Sequence, residues 1–383
     1  MRSRSRSRSR SSRRSAEILG LAAVVVVAGA ACAPVYGDAY LASFAGAERA
    51  LHAGRYVEAA AAYDDAAGKA LRVKDRDEAR FLQARCLDKA GRWQDARAAY
   101  QRLAADSKDG PRTPRALFEI ADSEIDHGDV EKGYVMLTDA AIRFPQNGVA
   151  RPTIHRVVTH VAEVSGEPAA RAWLSAHDAA FHGTYEEQTI GYEIALSFDR
   201  EGKKSEAHDA LMASATAHPY PKGGLTDDAL VRASKIDEEL GRFAEAAKHL
   251  EDLLATHEVS HGFAGKYDMA SYERPRFPEA GLHLAEIYRD ELHDHPAARR
   301  AFEASYRDHP TARKRDLAVW SEARLALEDG DAKTACDLAD RLAKELPDSR
   351  YTPCARTICP TAAPSKRECN DYIVRPPSTD SDD

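Results

Sequence analysis

His257, Glu258 and His261 are the residues whose types and spacing are best suited to chemistry. On a helix, side chains four residues apart lie one above the other, so two imidazoles at this spacing can bind one zinc ion. A glutamate between them can activate a zinc-bound water for hydrolysis. The stretch is therefore a candidate hydrolytic zinc site, and its flanking residues are uncharged: Leu254, Ala255, Thr256, Gly262 and Phe263.

This HExxH stretch resembles the zinc-binding motif of metalloproteases. The resemblance implies Glu258 as the catalytic residue and His257 and His261 as metal ligands. Such an enzyme also needs a third ligand and a sheet beside the helix, whereas the roughly 200 residues before the motif show no strand pattern. Ala264 and Tyr267 occupy the glycine and third-histidine positions of the longer form of the motif, so that form is absent.

We therefore predict no catalytic residue, no metal ligand and no cofactor, and keep a zinc metallopeptidase as the alternative function. Glu279 and Glu286 lie at distances where a third ligand could occur, but both fall in the first helix of a later hairpin. We expect the helix before the motif to continue to His261. Residues 259–276 contain glycine and proline and are expected to form an inserted recognition loop.

The N-terminus has the charge pattern of a secretory signal. Residues 1–17 carry seven arginines, and residues 18–31 carry no charge. A basic segment followed by an apolar segment of this length is typical of a signal peptide and is too short for a comfortable membrane span. Removal of residues 1–31 leaves 47 basic and 61 acidic residues, a net charge of about −14. This acidic balance predicts no basic face for nucleic acid.

Cys32 follows the apolar segment and resembles the lipidated cysteine of bacterial lipoproteins. The resemblance implies that Cys32 carries a lipid anchor and becomes the mature N-terminus, with a linker over residues 32–39. Ala33, in place of an aspartate, then implies an outer-membrane lipoprotein that faces the periplasm. Gly29 departs from the large apolar residue usual in that motif, so ordinary cleavage after Ala30 and a secreted, periplasmic protein remain the alternative.

Glycine recurs at a spacing of 36–39 residues, which predicts an internal repeat. Small residues stand seven before and five after most of these glycines, so two antiparallel helices can cross closely with the glycine in the turn between them. A large side chain nine residues after the glycine and, in several units, a proline seventeen after it complete the pattern. The glycines are Gly54, Gly91, Gly128, Gly166, Gly202, Gly241 and Gly330.

The last interval between these glycines spans 89 residues and must hold two units. We place its missing turn near His293, because Phe302 and Pro310 then fall nine and seventeen residues after it. Pro278 would open the first helix of that unit, as Pro114 and Pro152 do in earlier ones. The sequence thus predicts eight hairpins.

The stretches GRYVEAAAAY, GRWQDARAAY and GRFAEAAKHL resemble the tetratricopeptide repeat, over about residues 40–351. The resemblance implies an all-α solenoid of about eight helical hairpins, whose first helices line a groove that binds proteins. Such repeats on an exported lipoprotein are similar to the BamD and YbgF class of bacterial envelope proteins. We expect units one to six over residues 40–258, units seven and eight over 277–351, and a tail over 352–383.

Four cysteines near the C-terminus predict two disulfides in an exported chain, with three possible connectivities. They would tie the tail to the last hairpin, and they are Cys336, Cys354, Cys359 and Cys369. A zinc knot is the alternative, but the four lack a CxxC pair. Cys86 is expected to be a buried thiol inside a helix.

The function that these patterns predict is a non-enzymatic scaffold of the bacterial cell envelope. Its partners would be envelope proteins or peptides bound in the groove, and the membrane through the lipid anchor, with no nucleic acid. The sequence alone does not rank the exposed groove residues, because the repeat pattern reports the packing positions.

Overall fold

A computed structural model describes residues 37–184, 186–256, 276–310 and 312–374. Over these residues the chain forms eighteen α-helices and no strand, which confirms the predicted all-α fold. Sixteen of the helices pair into eight hairpins, as the repeat predicts. None of the described helices is long and apolar enough to cross a membrane.

The chain divides into two compact blocks, residues 1–149 and 150–383, and the first block contains three hairpins. Consecutive hairpins pack against each other within this block. Their helices are α1 (Asp38–His52) with α2 (Tyr56–Lys69), α3 (Val73–Lys89) with α4 (Trp93–Asp106), and α5 (Thr113–His127) with α6 (Val130–Arg143).

The second block contains hairpins four to eight and the tail, and its consecutive hairpins also pack against each other. Hairpins four to six are α7 (Ala150–Ser165) with α8 (Glu167–Phe181), α9 (Glu187–Arg200) with α10 (Lys204–Ala217), and α11 (Thr226–Glu239) with α12 (Phe243–Ala255). Hairpins seven and eight are α13 (Phe277–Glu286) with α14 (His295–Asp308), and α15 (Arg315–Glu328) with α16 (Ala332–Glu345).

A left-handed turn joins the two helices of most hairpins. Gly54 has φ 73° and Gly241 has φ 71°, a region that favours glycine because a Cβ would crowd the backbone. The next amide closes the turn: Arg55 N–H donates to the Ala50 carbonyl at 2.9 Å, and Arg242 N–H to the Asp237 carbonyl at 2.7 Å. A hydrogen bond to the carbonyl five residues back is typical of the Schellman motif, and it gives a partner to a carbonyl that has none within the helix.

Hairpin seven confirms the turn predicted near His293. His293 has φ 52°, a conformation that histidine adopts more readily than most side chains. A π-helical segment, Ile287–Glu291, precedes it and adds one residue to the turn. Asp294 N–H therefore donates to the Tyr288 carbonyl at 2.8 Å, one residue farther back than in the glycine turns.

The third hairpin turns differently from the prediction. Gly128 has φ −136° and therefore lies outside the left-handed region. Asp129 caps the following helix instead, since its Oδ1 accepts a hydrogen bond from Lys132 N–H at 3.0 Å. Gly133 is required for a different reason, because a Cβ there would lie 2.5 Å from the Ile125 side chain.

The small and large residues of the repeat pattern form the core, as predicted. The alanines seven residues before the turn are fully buried, which lets the paired helices approach closely: Ala47, Ala84, Ala121, Ala195 and Ala323. The large side chains nine residues after it fill the space between hairpins and are also buried: Tyr63, Tyr100, Leu137, Leu211, Leu250 and Phe302. Cys86 is a buried free thiol on α3, where the sequence placed it.

Two disulfides hold the tail, which agrees with the predicted disulfide-tied C-terminus. Cys336 on α16 bonds Cys359 and so joins the tail to the last hairpin. Cys354 bonds Cys369, which closes a loop within the tail itself. The tail also contains a 3-10 turn, Thr352–Cys354, and two short helices, α17 (Ala355–Ile358) and α18 (Asp371–Val374).

Candidate protein-binding groove

Several residues singled out in the sequence lie outside the described part of the chain. Cys32, the HExxH residues His257, Glu258 and His261, and most of the 259–276 segment are among them. Helix α12 is described to Ala255, and the predicted continuation to His261 falls on residues outside the described part of the chain.

Glu279 and Glu286, the spaced candidates for a third zinc ligand, lie on α13. Glu279 Oε2 is 3.7 Å from the Arg276 guanidinium, and Glu286 Oε2 is 3.7 Å from His283 Nδ1. Both carboxylates thus face cationic side chains in the structure.

A cavity of about 730 Å³ lies in the second block, beside the first helices of hairpins six and seven and the start of α15. Its apolar floor comes from small and branched side chains: Val231, Ala280, Leu282, Ala312 and Ala318. Two further cavities, of about 710 and 250 Å³, also lie along first helices, those of hairpins seven and eight and of hairpins five and six. This placement agrees with the expectation that first helices line the groove.

The rim of the 730 Å³ cavity, here called the basic groove, carries more cations than anions. Five cationic residues and two glutamates line it: Lys235, His283, Arg313, Lys314 and Arg315 against Glu279 and Glu286. Lys235, Arg313 and Lys314 are exposed and have no ion-pair partner among the described residues. Arg315 is committed to the fold, because its Nε donates to the Tyr306 carbonyl at 2.8 Å and its guanidinium stacks 3.9 Å from the Tyr306 ring.

His283 adds a positive charge to the groove at neutral pH. Its Nε2 lies 2.7 Å from Glu238 Oε1, and its Nδ1 lies 3.7 Å from Glu286 Oε2. These carboxylates, Glu238 first, raise the pKa of His283 to about 9 and outweigh the opposing effect of burial.

Ser305 gives the groove an unused hydrogen-bonding group. The side chain is 5% exposed, and its Oγ has no hydrogen-bond partner among the described residues. Gly281 makes room for it, because a Cβ at that position would lie 2.8 Å from the Ser305 hydroxyl. A hydroxyl at the wall of a cavity can donate to a bound carbonyl or carboxylate.

The sequence analysis did not identify these groove residues. They face the solvent and lie between the packing positions of the repeat, so periodicity carries no information about them. The run Arg313-Lys314-Arg315 could have pointed to the groove, because it is a cluster of cations in an acidic chain.

Comparison with known families supports the hairpin assignment. Two overlapping stretches, residues 44–111 and 81–133, match the family described as Tetratricopeptide repeat. The match therefore covers residues 44–133 of the chain. A search of curated proteins finds no match to the chain.

Three solved structures are similar to this chain. A structure from a functional characterization of Pseudomonas aeruginosa pilF is 14% identical, covers 64% of this chain and 96% of its own, with TM-score 0.35. The C-terminal part of a repeat-containing protein from Cytophaga hutchinsonii is 13% identical, with coverages of 72% and 98% and TM-score 0.40. A tetratricopeptide repeat protein from Parabacteroides merdae is 11% identical, with coverages of 76% and 100% and TM-score 0.35.

The charge of His283 gives the basic groove a testable pH dependence. The pKa of His283 in the folded state is raised above its ordinary value of 6.5. The ion pairs of His283 with Glu238 and Glu286 therefore stabilise the fold fully below about pH 6.5, and this stabilisation is lost as the pH rises through about 9. In an NMR titration, Glu238→Gln should lower the pKa of His283 more than Glu286→Gln does, since Glu238 is the closer partner. An unchanged imidazole pKa in Glu238→Gln would contradict this assignment.

Proposed function

We propose that this protein is a non-enzymatic scaffold of the bacterial cell envelope whose basic groove binds an acidic segment of a partner protein. The tetratricopeptide fold supports a role in protein–protein interaction. The observation that carries the finer proposal is a set of three cations around an apolar floor, Lys235, Arg313 and Lys314, which have no ion-pair partner within the described ranges.

The cations are informative because the rest of the chain is acidic. The full sequence has a net charge of −8, and Arg232, on the same helix as Lys235, pairs with Asp199 at 2.6 Å. Three exposed cations around one cavity therefore favour a ligand that brings its own carboxylates. The apolar floor suits side chains of a peptide, while the charged rim speeds the encounter and fixes the orientation of the partner.

The envelope part of the proposal comes from the sequence. The basic and apolar segments within residues 1–31 and the position of Cys32 support export and a lipid anchor, and the two disulfides of the tail are compatible with an oxidising compartment. Tethering at Cys32 would hold the groove near partners at the outer membrane. The zinc metallopeptidase alternative at His257, Glu258 and His261 has no supporting contact within the described residues.

Site-specific photo-crosslinking tests the groove. A crosslinking residue in place of Lys235 should capture a partner protein in cells, and Arg313→Glu with Lys314→Glu should abolish that adduct because reversed charges repel an acidic segment. Lys248 is the matched control, since it lies on the second helix of the same hairpin and its Nζ already pairs with Asp252 at 2.6 Å. The same adduct from Lys248, or an adduct that survives charge reversal, would count against the groove.

Membrane fractionation tests the anchor independently. The wild-type protein should sediment with the outer membrane, and Cys32→Ser should move it to the soluble fraction because the acylated residue is lost. Mass spectrometry of the mature N-terminus checks the modification. A soluble wild-type protein that begins at Ala31 or Cys32 without acyl mass would show that ordinary cleavage operates.

A further inference from the structure

His208, Asp237 and His249 come together from three consecutive helices in hairpins five and six. His208 lies on α10, Asp237 on α11 and His249 on α12. The two Nε2 atoms are 3.2 Å apart, and Asp237 Oδ2 lies 3.4 Å from His208 Nε2 and 3.1 Å from His249 Nε2. Two imidazoles and one carboxylate thus direct one atom each at a common point.

The distances between these atoms fit the face of a tetrahedral metal site. With metal–ligand bonds of about 2.0–2.1 Å, two ligand atoms of a tetrahedron are about 3.3 Å apart. The three observed separations, 3.1, 3.2 and 3.4 Å, bracket that value. Imidazole nitrogen and carboxylate oxygen are also ligand types that zinc and neighbouring transition metals accept.

Asp237 is an unusual residue for its position. Its side chain is fully buried, and neither carboxylate oxygen has a partner in hydrogen-bond geometry among the described residues. The Arg242 guanidinium lies 2.8 Å from Oδ1, which leaves Oδ2 directed at the two imidazoles. A buried carboxylate lowers the stability of the fold unless it is paired or bound to a metal. In Asp237 the arginine lies beside only one of the two oxygens, Oδ1.

The contacts of His208 favour Nε2 as its ligand atom. His208 Nδ1 lies 3.1 Å from Asp209 Oδ1, and a proton held there on Nδ1 leaves the lone pair on Nε2. His249 Nε2 lies 3.1 Å from Asp237 Oδ2 and 3.2 Å from His208 Nε2, so it is directed at the same point. The His208 and His249 side chains are 16% and 12% exposed, so a fourth ligand can approach from solvent.

The same pair of repeat positions elsewhere in the chain carries an ordinary ion pair. His208 stands six residues after Gly202, and Asp237 four residues before Gly241. The corresponding residues of hairpins two and three are Arg97 and Glu124, whose Nη1 and Oε2 atoms are 2.6 Å apart. Arginine closes that site with a permanent charge and cannot bind a metal. Structural pairing alone therefore does not require two histidines at the His208 site.

We propose that His208, Asp237 and His249 bind one divalent transition-metal ion of the zinc class. The ion joins α10, α11 and α12 and so links hairpins five and six, with one coordination position open to solvent. The Arg242 charge beside Oδ1 reduces the affinity for a cation while it orients the carboxylate. This site uses none of the HExxH residues and does not depend on the proposed groove.

Zinc binding to the full mature chain tests the proposal. After chelation and dialysis, isothermal titration with zinc chloride should give one equivalent per chain, and zinc should raise the melting temperature. His208→Gln and Asp237→Asn should each weaken zinc binding at least about tenfold and remove the thermal shift. Cobalt(II) in place of zinc should give the visible spectrum of a four-coordinate site.

Two control variants separate this site from other histidines. His257→Ala with His261→Ala removes the HExxH ligands, and His182→Gln removes an exposed histidine whose Nε2 lies 2.9 Å from Asp178. Both controls should bind one equivalent as tightly as the wild type. Circular dichroism checks that His208→Gln keeps its helix content, which is expected because the side chain lies near the surface.

Three results would overturn the proposal. The first is a wild-type chain without stoichiometric zinc. The second is a folded His208→Gln variant that binds zinc with unchanged affinity. The third is loss of binding in the His257→Ala and His261→Ala variant, which would assign the metal to the HExxH stretch.

Discussion

The conformation of one residue between the paired helices is the constraint on which most of this structure depends. Where that residue has a positive φ, as at Gly54 and Gly241, the chain reverses in a few residues and the next amide bonds a carbonyl five residues back. This bond fixes the rotation of the second helix relative to the first. Small residues at set distances from the turn then face each other, and the helices can pack closely.

The residues of the proposed metal site and of the basic groove depart from the repeat pattern that the turn imposes. The residue four before the turn glycine supplies the carbonyl that accepts the hydrogen bond of the turn. This residue is Ala50 in hairpin one and Ala326 in hairpin eight, but Asp237 in hairpin six. A buried aspartate there costs stability unless something compensates its charge. Lys235, two residues earlier, faces the basic groove instead of the core. A single helix thus supports a metal-binding face and a partner-binding face.

The eight hairpins could be predicted from sequence because each is defined by local spacing. Even the turn at His293, where glycine is missing, followed from Phe302 and Pro310. The π-helical segment before it could not be foreseen, since one extra residue in a helix leaves the spacing after the turn unchanged. The basic groove and the His208 cluster could not be predicted from the sequence, for a different reason. Their residues come from different helices, and a spacing pattern does not report which of these side chains converge.

The unfolding free energy of Gly54→Ala tests the central role of the turn most directly. A Cβ in the left-handed region should cost about 1–2 kcal/mol. Gly68, in the helical part of the same hairpin with open space around it, is the control, and Gly68→Ala should be neutral or stabilise by up to about 1 kcal/mol. Urea unfolding of both variants should therefore give effects of opposite sign or clearly unequal size. Equal effects from the two substitutions would contradict the account.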